Sequence, residues 1–183
     1  MSTTLAPAST LVPSTRAPLS AAGLADVTRR YGRLLRTGAF GPVHYGDPAR
    51  PLDPEARWHV RVHADDVVDV WLISWLPSQG TQLHDHGGSA GAFTVVRGEL
   101  TEAVWEPGRD GAAGHLHDEA RAAGSTTTFG TGHVHDVRNL GSEPAVSVHA
   151  YSHPLRRMGY YDTTGGSLQL TAVLDTTDPE PTA

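Results

Sequence analysis

Apolar positions along the chain keep one spacing early and a different one later. In "LSAAGLADVTRRYGRLLRTG", Leu24, Val27, Tyr31, Leu34 and Leu35 recur at helical intervals and Gly38 offers a stop, which predicts a helix over about 20–37. From Trp58 onward the period falls to two. The segments "RWHVRVH", "VVDVWLISWLP", "GAFTVVRGELTEAVWEP", "AGSTTTFG", "HDVRNLG", "PAVSVHAYSHP" and "GSLQLTAVLD" read as successive strands split by Gly, Pro and Asp turns. No second helix of any length is expected. Many short strands with turn punctuation argue for an all-β sandwich or barrel. The flanks lack periodicity. Residues 1–18 are Ser, Thr, Pro and Ala with scattered apolars and are expected to be a disordered tail. Residues 40–56 carry Pro42, Pro48, Pro51 and Pro54 and read as a loop, and 176–183 ("TTDPEPTA") as a polar tail. A single domain over 19–175 remains.

Composition narrows the classes. At 183 residues the chain can bury one real core. A net charge of −6 leaves no footprint for phosphate backbones, so nucleic acid is not an expected partner. No apolar run is long enough for a bilayer, and the first residues lack the layout of a secretory signal, so the expected address is the cytoplasm. The chain has no cysteine, which excludes disulfides, zinc–thiolate sites and cysteine nucleophiles. A monomer is the expectation, though the sequence itself does not report oligomeric state.

The 11 histidines are the chemical feature. His84 and His86 stand at i and i+2, a spacing that puts both rings on one face of a strand with Asp85 on the other. Two neutral imidazoles side by side suit a divalent transition metal. The plainer alternative is a pair of polar residues on a solvent face. Four residues separate His86 from Gly91, and six more separate Gly91 from Gly98. A second stretch holds Gly124, Gly130, Gly132, His135 and Asn139 at intervals of five, one, two and three residues.

These two stretches resemble the paired motifs of the cupins, and the resemblance implies a jelly-roll β-barrel with a short N-terminal helical segment. It selects His135 over His133 as a third ligand. The glutamate usual in the first motif is replaced by Gly91 or Ala90, and the proline of the second by Gly130. Three neutral histidines would leave a dication's charge intact and keep other coordination positions open, which favours iron with an anionic thiol. Three-histidine zinc with a bound water is the physical alternative.

"PAVSVHAYSHP" puts Ser147, His149 and Tyr151 on one strand face and Val146, Val148 and Ala150 on the other. The pattern itself allows either face to look inward. Taken together, "HDH", the glycine-rich step after it, "HDVRN" and "EPAVSVHAYSHP" resemble the cysteine dioxygenase family of thiol dioxygenases over roughly residues 55–155. The resemblance implies that His84, His86 and His135 hold non-haem Fe(II), with Ser147, His149 and Tyr151 beside the metal. It also implies an arginine for the substrate carboxylate, which the strand before "WLISWLP" supplies as Arg61. The implied activity is oxidation of L-cysteine by O2 to cysteine sulfinate. The cysteine that crosslinks to the tyrosine in animal members is absent, and "GGSAGA" fills its region. Small residues there would let substrate approach the metal. Rival readings are a dioxygenase for 3-mercaptopropionate or another small thiol, a cupin that binds a metal or small ligand without catalysis, and a zinc or nickel cupin hydrolase or isomerase. His44, His59, His63, His115, His117 and His153 are read as solvated or structural, with His115 and His117 in an acidic loop. Asp85 is expected to brace the turn or support a ligand.

Overall fold

The structure is a computed structural model describing residues 16–38, 57–110 and 112–179. Most of the expected tail over 1–18, the loop over 40–56 and the last residues of the C-terminal tail lie outside the described residues. The helical stripe forms α1 (Ala21–Arg36). Ser20 caps it, its hydroxyl accepting from the Gly23 N–H at 3.2 Å, and Arg33 and Arg36 in the last turn complement the helix dipole.

The remaining described elements are strands: β1 (His59–Ala64), β2 (Asp69–Trp75), β3 (Ala90–Arg97), β4 (Glu99–Glu106), β5 (His115–Ala122), β6 (Thr126–Phe129), β7 (His135–Arg138), β8 (Ala145–Ser152), β9 (Arg157–Thr164) and β10 (Ser167–Asp175). They pair antiparallel into a five-stranded sheet (β1-β2-β8-β3-β6), a three-stranded sheet (β5-β4-β7) and the β9–β10 hairpin. Gly98, at φ +73°, turns β3 into β4, and a side chain there would also collide with Ala145.

Two strands differ from the sequence reading. His115 and His117 sit on β5, not in a loop; their run is polar because the strand lies at the sheet's edge with little of it buried. β9 has no counterpart among the expected strands because "RRMGYYDTT" shows no clean alternation.

Period two sorts β2, β3 and β8 into two buried faces. Val70, Leu72, Ala92, Val146, Val148 and Ala150 pack outward beneath Leu24 and Leu35 of α1. Trp71, Ile73, Trp75, Phe93, Val95 and Tyr151 point inward, against Leu100 and Val137 of the three-stranded sheet and Met158 of β9. The helix is thus the covering layer that frees the other face of β8 to carry polar groups inside. Among the described residues no helix is long and apolar enough to cross a membrane.

Candidate metal centre

His84 and His86 lie on the extended segment that enters β3. His84 exchanges backbone hydrogen bonds with His135, at 2.9 Å and 3.0 Å, which pins this segment to the start of β7. Asp85 points the other way and anchors the segment. Its carboxylate accepts from the Gly87 N–H at 2.7 Å, the Gly159 N–H at 3.2 Å and the Tyr161 hydroxyl at 2.5 Å. Partial burial and that carboxylate push the Tyr161 pKa up to about 12.

Three imidazoles therefore meet inside the barrel. Ring centroids are 4.9 Å apart for His84 and His86, 5.0 Å for His84 and His135, and 5.2 Å for His86 and His135. One ligand nitrogen from each can lie within 4.8 Å of the others. All three are buried, and burial is the largest cause holding each pKa below the ordinary histidine value, for His84 at about 3. The rings are neutral at physiological pH, as metal ligation requires. Orientation follows from the hydrogen bonds. His84 donates through Nδ1 to the Gln82 carbonyl at 2.7 Å, and His135 through Nδ1 to Glu102 Oε1 at 2.7 Å. In each ring Nε2 is left with the lone pair. His86 is 2% exposed and neither of its nitrogens has a hydrogen-bond partner. An orphaned buried imidazole is costly unless something else takes its lone pair. The residues present fit a divalent ion.

No carboxylate can join them from the position of the missing glutamate. A Cβ on Gly91 would run into the ring of Phe129, which stacks on His86 at 4.8 Å and packs on His135 at 5.1 Å. The aromatic ring fills the space that a ligand side chain would need.

Beside the imidazoles runs a polar chain. Trp75 Nε1–H donates to Ser147 Oγ at 2.9 Å, Ser147 Oγ lies 2.8 Å from His149 Nε2, and His149 Nδ1 lies 3.5 Å from Tyr151 Oη. An indole only donates, so the Ser147 oxygen accepts from Trp75, and its own hydrogen can be given to His149. With that donation His149, held neutral by burial with a pKa of about 3, carries its hydrogen on Nδ1, facing Tyr151. Trp75 does not stand out in the sequence; it orients the series from behind.

Arg61 lies on the expected strand, but its side chain is turned away from the three imidazoles. It is exposed on β1 opposite Trp71, and its guanidinium stacks on that indole at 5.2 Å. Four residues earlier, Arg57 lines a cavity of about 310 Å³ together with Gln82, His84, Met158 and Tyr160. Its guanidinium lies 5.3 Å over Trp75 and donates to the Gly80 carbonyl. The chain just before β1, rather than the strand itself, brings an arginine to the mouth, and a count along strand residues could not find it. Also missed were Tyr160, whose ring is 6.3 Å from that of His84, and Glu102, buried in β4.

Residues 47–164 match the profile of a family described as cysteine dioxygenase type I. The chain belongs to that family. Membership gives the β-structure its name, a cupin barrel, and makes the protein a metal-dependent cupin dioxygenase whose metal ligands the three-histidine group can supply. Solved structures similar to this cysteine dioxygenase family member include the protein TT1209 from Thermus thermophilus (24% identity, TM-score 0.47, covering 55% of this chain and 87% of that one). An oxalate oxidase in complex with glycolate is similar at 19% identity and TM-score 0.46, over 54% of this chain and 52% of that one, so the match spans about half of the oxidase. A cupin domain of an XRE family transcriptional regulator from Enterobacter cloacae matches at 18% identity and TM-score 0.45, over 54% of this chain and 98% of that one.

Proposed function

We propose that this protein is an iron-dependent thiol dioxygenase that oxidises L-cysteine to cysteine sulfinate. The observation that carries the reading is three buried, neutral imidazoles without a carboxylate, converging beside a cavity that holds an arginine. Donors of this kind leave the ion's charge uncompensated, which suits an anionic sulfur.

His84, His86 and His135 would hold Fe(II) through one nitrogen each. Fe(II) held there would supply the redox chemistry that joins dioxygen to a thiol sulfur. Both oxygen atoms of O2 end on sulfur, which is oxidised from thiol to sulfinate while O2 is reduced. The chain's own residues bind and orient. Arg57 takes the role first expected of Arg61. Arg57 lines the cavity, and a planar guanidinium fork can pair two-pronged with a carboxylate. Met158, Tyr160, Ala172 and Leu174 wall the cavity and limit water near the reacting sulfur. Ser147 and His149 hold the Tyr151 hydroxyl, whose own hydrogen is then available to a substrate oxygen.

The apolar wall favours a second substrate. No acidic side chain is among the described residues lining the cavity, which suits a thiol acid without an ammonium group, such as 3-mercaptopropionate. The test is oxygen uptake and sulfinate formation by iron-loaded protein with each thiol, using Arg57→Ala and Arg61→Ala. Loss of one bidentate charge-assisted pair predicts a fall of roughly 10–100-fold in kcat/KM for Arg57→Ala. Bound iron should be unchanged, and Arg61→Ala should behave as wild type. The opposite ranking of the two arginines would return the carboxylate to Arg61. No uptake with either thiol would remove the dioxygenase reading.

A further inference from the structure

Glu102 is fully buried, yet it is not one of the three converging ligands. It lies on β4, a strand read in the sequence only as part of the barrel. Four donor atoms converge on it. His135 Nδ1 is 2.7 Å and His133 Nε2 3.1 Å from Oε1, and Arg121 of β5 reaches Oε2 through Nε at 2.8 Å and Nη2 at 2.6 Å. A carboxylate so surrounded is an acceptor on both oxygens, so each imidazole nitrogen facing it must carry hydrogen. For His135 this fixes the hydrogen on Nδ1 and the lone pair on Nε2. With the other tautomer His135 could not ligate an ion alongside His84 and His86.

Glu102, His133 and His135 also form a second group with ligand atoms within 4.8 Å of one another. Its chemistry argues against an ion there. The guanidinium of Arg121 already occupies one side of the carboxylate, and a dication beside it would meet a fixed positive charge. The hydrogen on His135 Nδ1 points into the same space.

We propose that Glu102 is a positioning residue of the metal centre: clamped by Arg121 and His133, it holds His135 in the one tautomer that can bind the ion shared with His84 and His86. The proposal rests on the three-histidine reading above. The carboxylate also strengthens His135 as a donor by stabilising positive charge that develops on the ring when it ligates. His133 serves the clamp and stacks on Phe129 at 5.1 Å, but touches no ion.

The test uses the full chain and cobalt(II), measured by competition with a fluorescent chelator and by the visible spectrum of the bound ion. Glu102→Gln, which keeps an acceptor but loses the charge, and Glu102→Ala, which loses both, should weaken cobalt binding, the alanine variant more deeply. The loss for Glu102→Ala should be about 10–100-fold. His133→Phe removes only one of the four donors to the carboxylate and should weaken binding far less than Glu102→Ala. Equal binding by wild type and Glu102→Ala would overturn the proposal. So would loss of binding in His133→Phe as deep as in Glu102→Ala, because the ion would then sit in the second group. A measurement on unmutated protein guards against variants that do not fold. Nitrogen-15 shifts of the imidazoles in metal-free wild type should show His135 protonated on Nδ1, and protonation on Nε2 would overturn the assignment. If instead wild type takes up no cobalt, or His84→Ala takes it up as well as wild type, it is the three-histidine reading that fails, while the tautomer measurement still decides on Glu102.

Discussion

Asp69 offers a test of the barrel's electrostatics. It sits on β2 directly across from Tyr151 on β8, is 1% exposed, and accepts from Trp71 Nε1–H at 3.0 Å. Burial is the largest influence on it and the indole offsets only part, so its pKa is raised from 3.8 to about 6. The sign follows from proton counting. Between pH 4 and 6 the folded protein holds this proton more tightly than the unfolded chain, so folding stability falls as pH rises through that window. At 1.36 kcal/mol per pKa unit, a shift of about two units makes the loss about 3 kcal/mol, most of it between pH 4 and 7. Asp69→Asn replaces the carboxyl with a group that does not titrate. Its amide places an N–H₂ where Asp69 Oδ1 now has no partner, a cost of about 1–3 kcal/mol that does not vary with pH. The quantity to measure is therefore a slope. Urea unfolding of metal-free protein, with a chelator present because metal binding has its own pH dependence, should be followed from pH 4 to 7. The stability of Asp69→Asn relative to wild type should climb by about 2–3 kcal/mol over that range. Parallel curves would show that Asp69 titrates in the folded state as it does in the unfolded one, and the reasoning from burial would fail.

Two further perturbations probe the site. Trp75→Phe and Ser147→Ala each cut the chain that orients His149, so each should lower kcat about tenfold with bound iron unchanged. The double variant should lose little more than either single one, and additive losses in that cycle would separate Trp75 from the series. Gly91→Cys must push Phe129 out of its stack on His86, which should cost about 1–3 kcal/mol of stability in thermal or urea melts. No thioether to Tyr151 should form, and an intact mass two hydrogens below the unmodified chain would contradict the packing argument.

What could be read from the chain alone divides along physical lines. α1 and β1, β2, β3, β4, β8 and β10 were visible because each shows a period in its apolar positions. β5 was not, because an edge strand with mostly exposed positions has no apolar face to announce it. His84, His86 and His135 were marked as candidates because two stretches of the chain resemble the paired cupin motifs, and the structure brings their rings together. Ser147, His149 and Tyr151 were legible as a set but not as inward-facing, because alternation cannot say which face meets the core. That was decided by α1, which covers Val146, Val148 and Ala150 from outside. Arg57, Trp75 and Glu102 left no mark, because each acts across the fold on groups from other strands.

The replacement of the cupin glutamate by glycine is more than the loss of a ligand. A fourth, anionic donor would offset the ion's charge and take a coordination position, and both consequences oppose an incoming thiolate. Deleting the side chain alone would leave a void beside His86 that water could enter. Phe129 closes it, stacked on His86 and packed against His135, His133 and Tyr151. One aromatic ring thus fills the place of the carboxylate and packs against the imidazoles. The negative charge that could have been a ligand appears one layer back, at Glu102, where it supports His135 without touching the ion. That division, neutral donors in contact and a carboxylate behind them, is what the proposed binding of an anionic sulfur beside a retained metal would require.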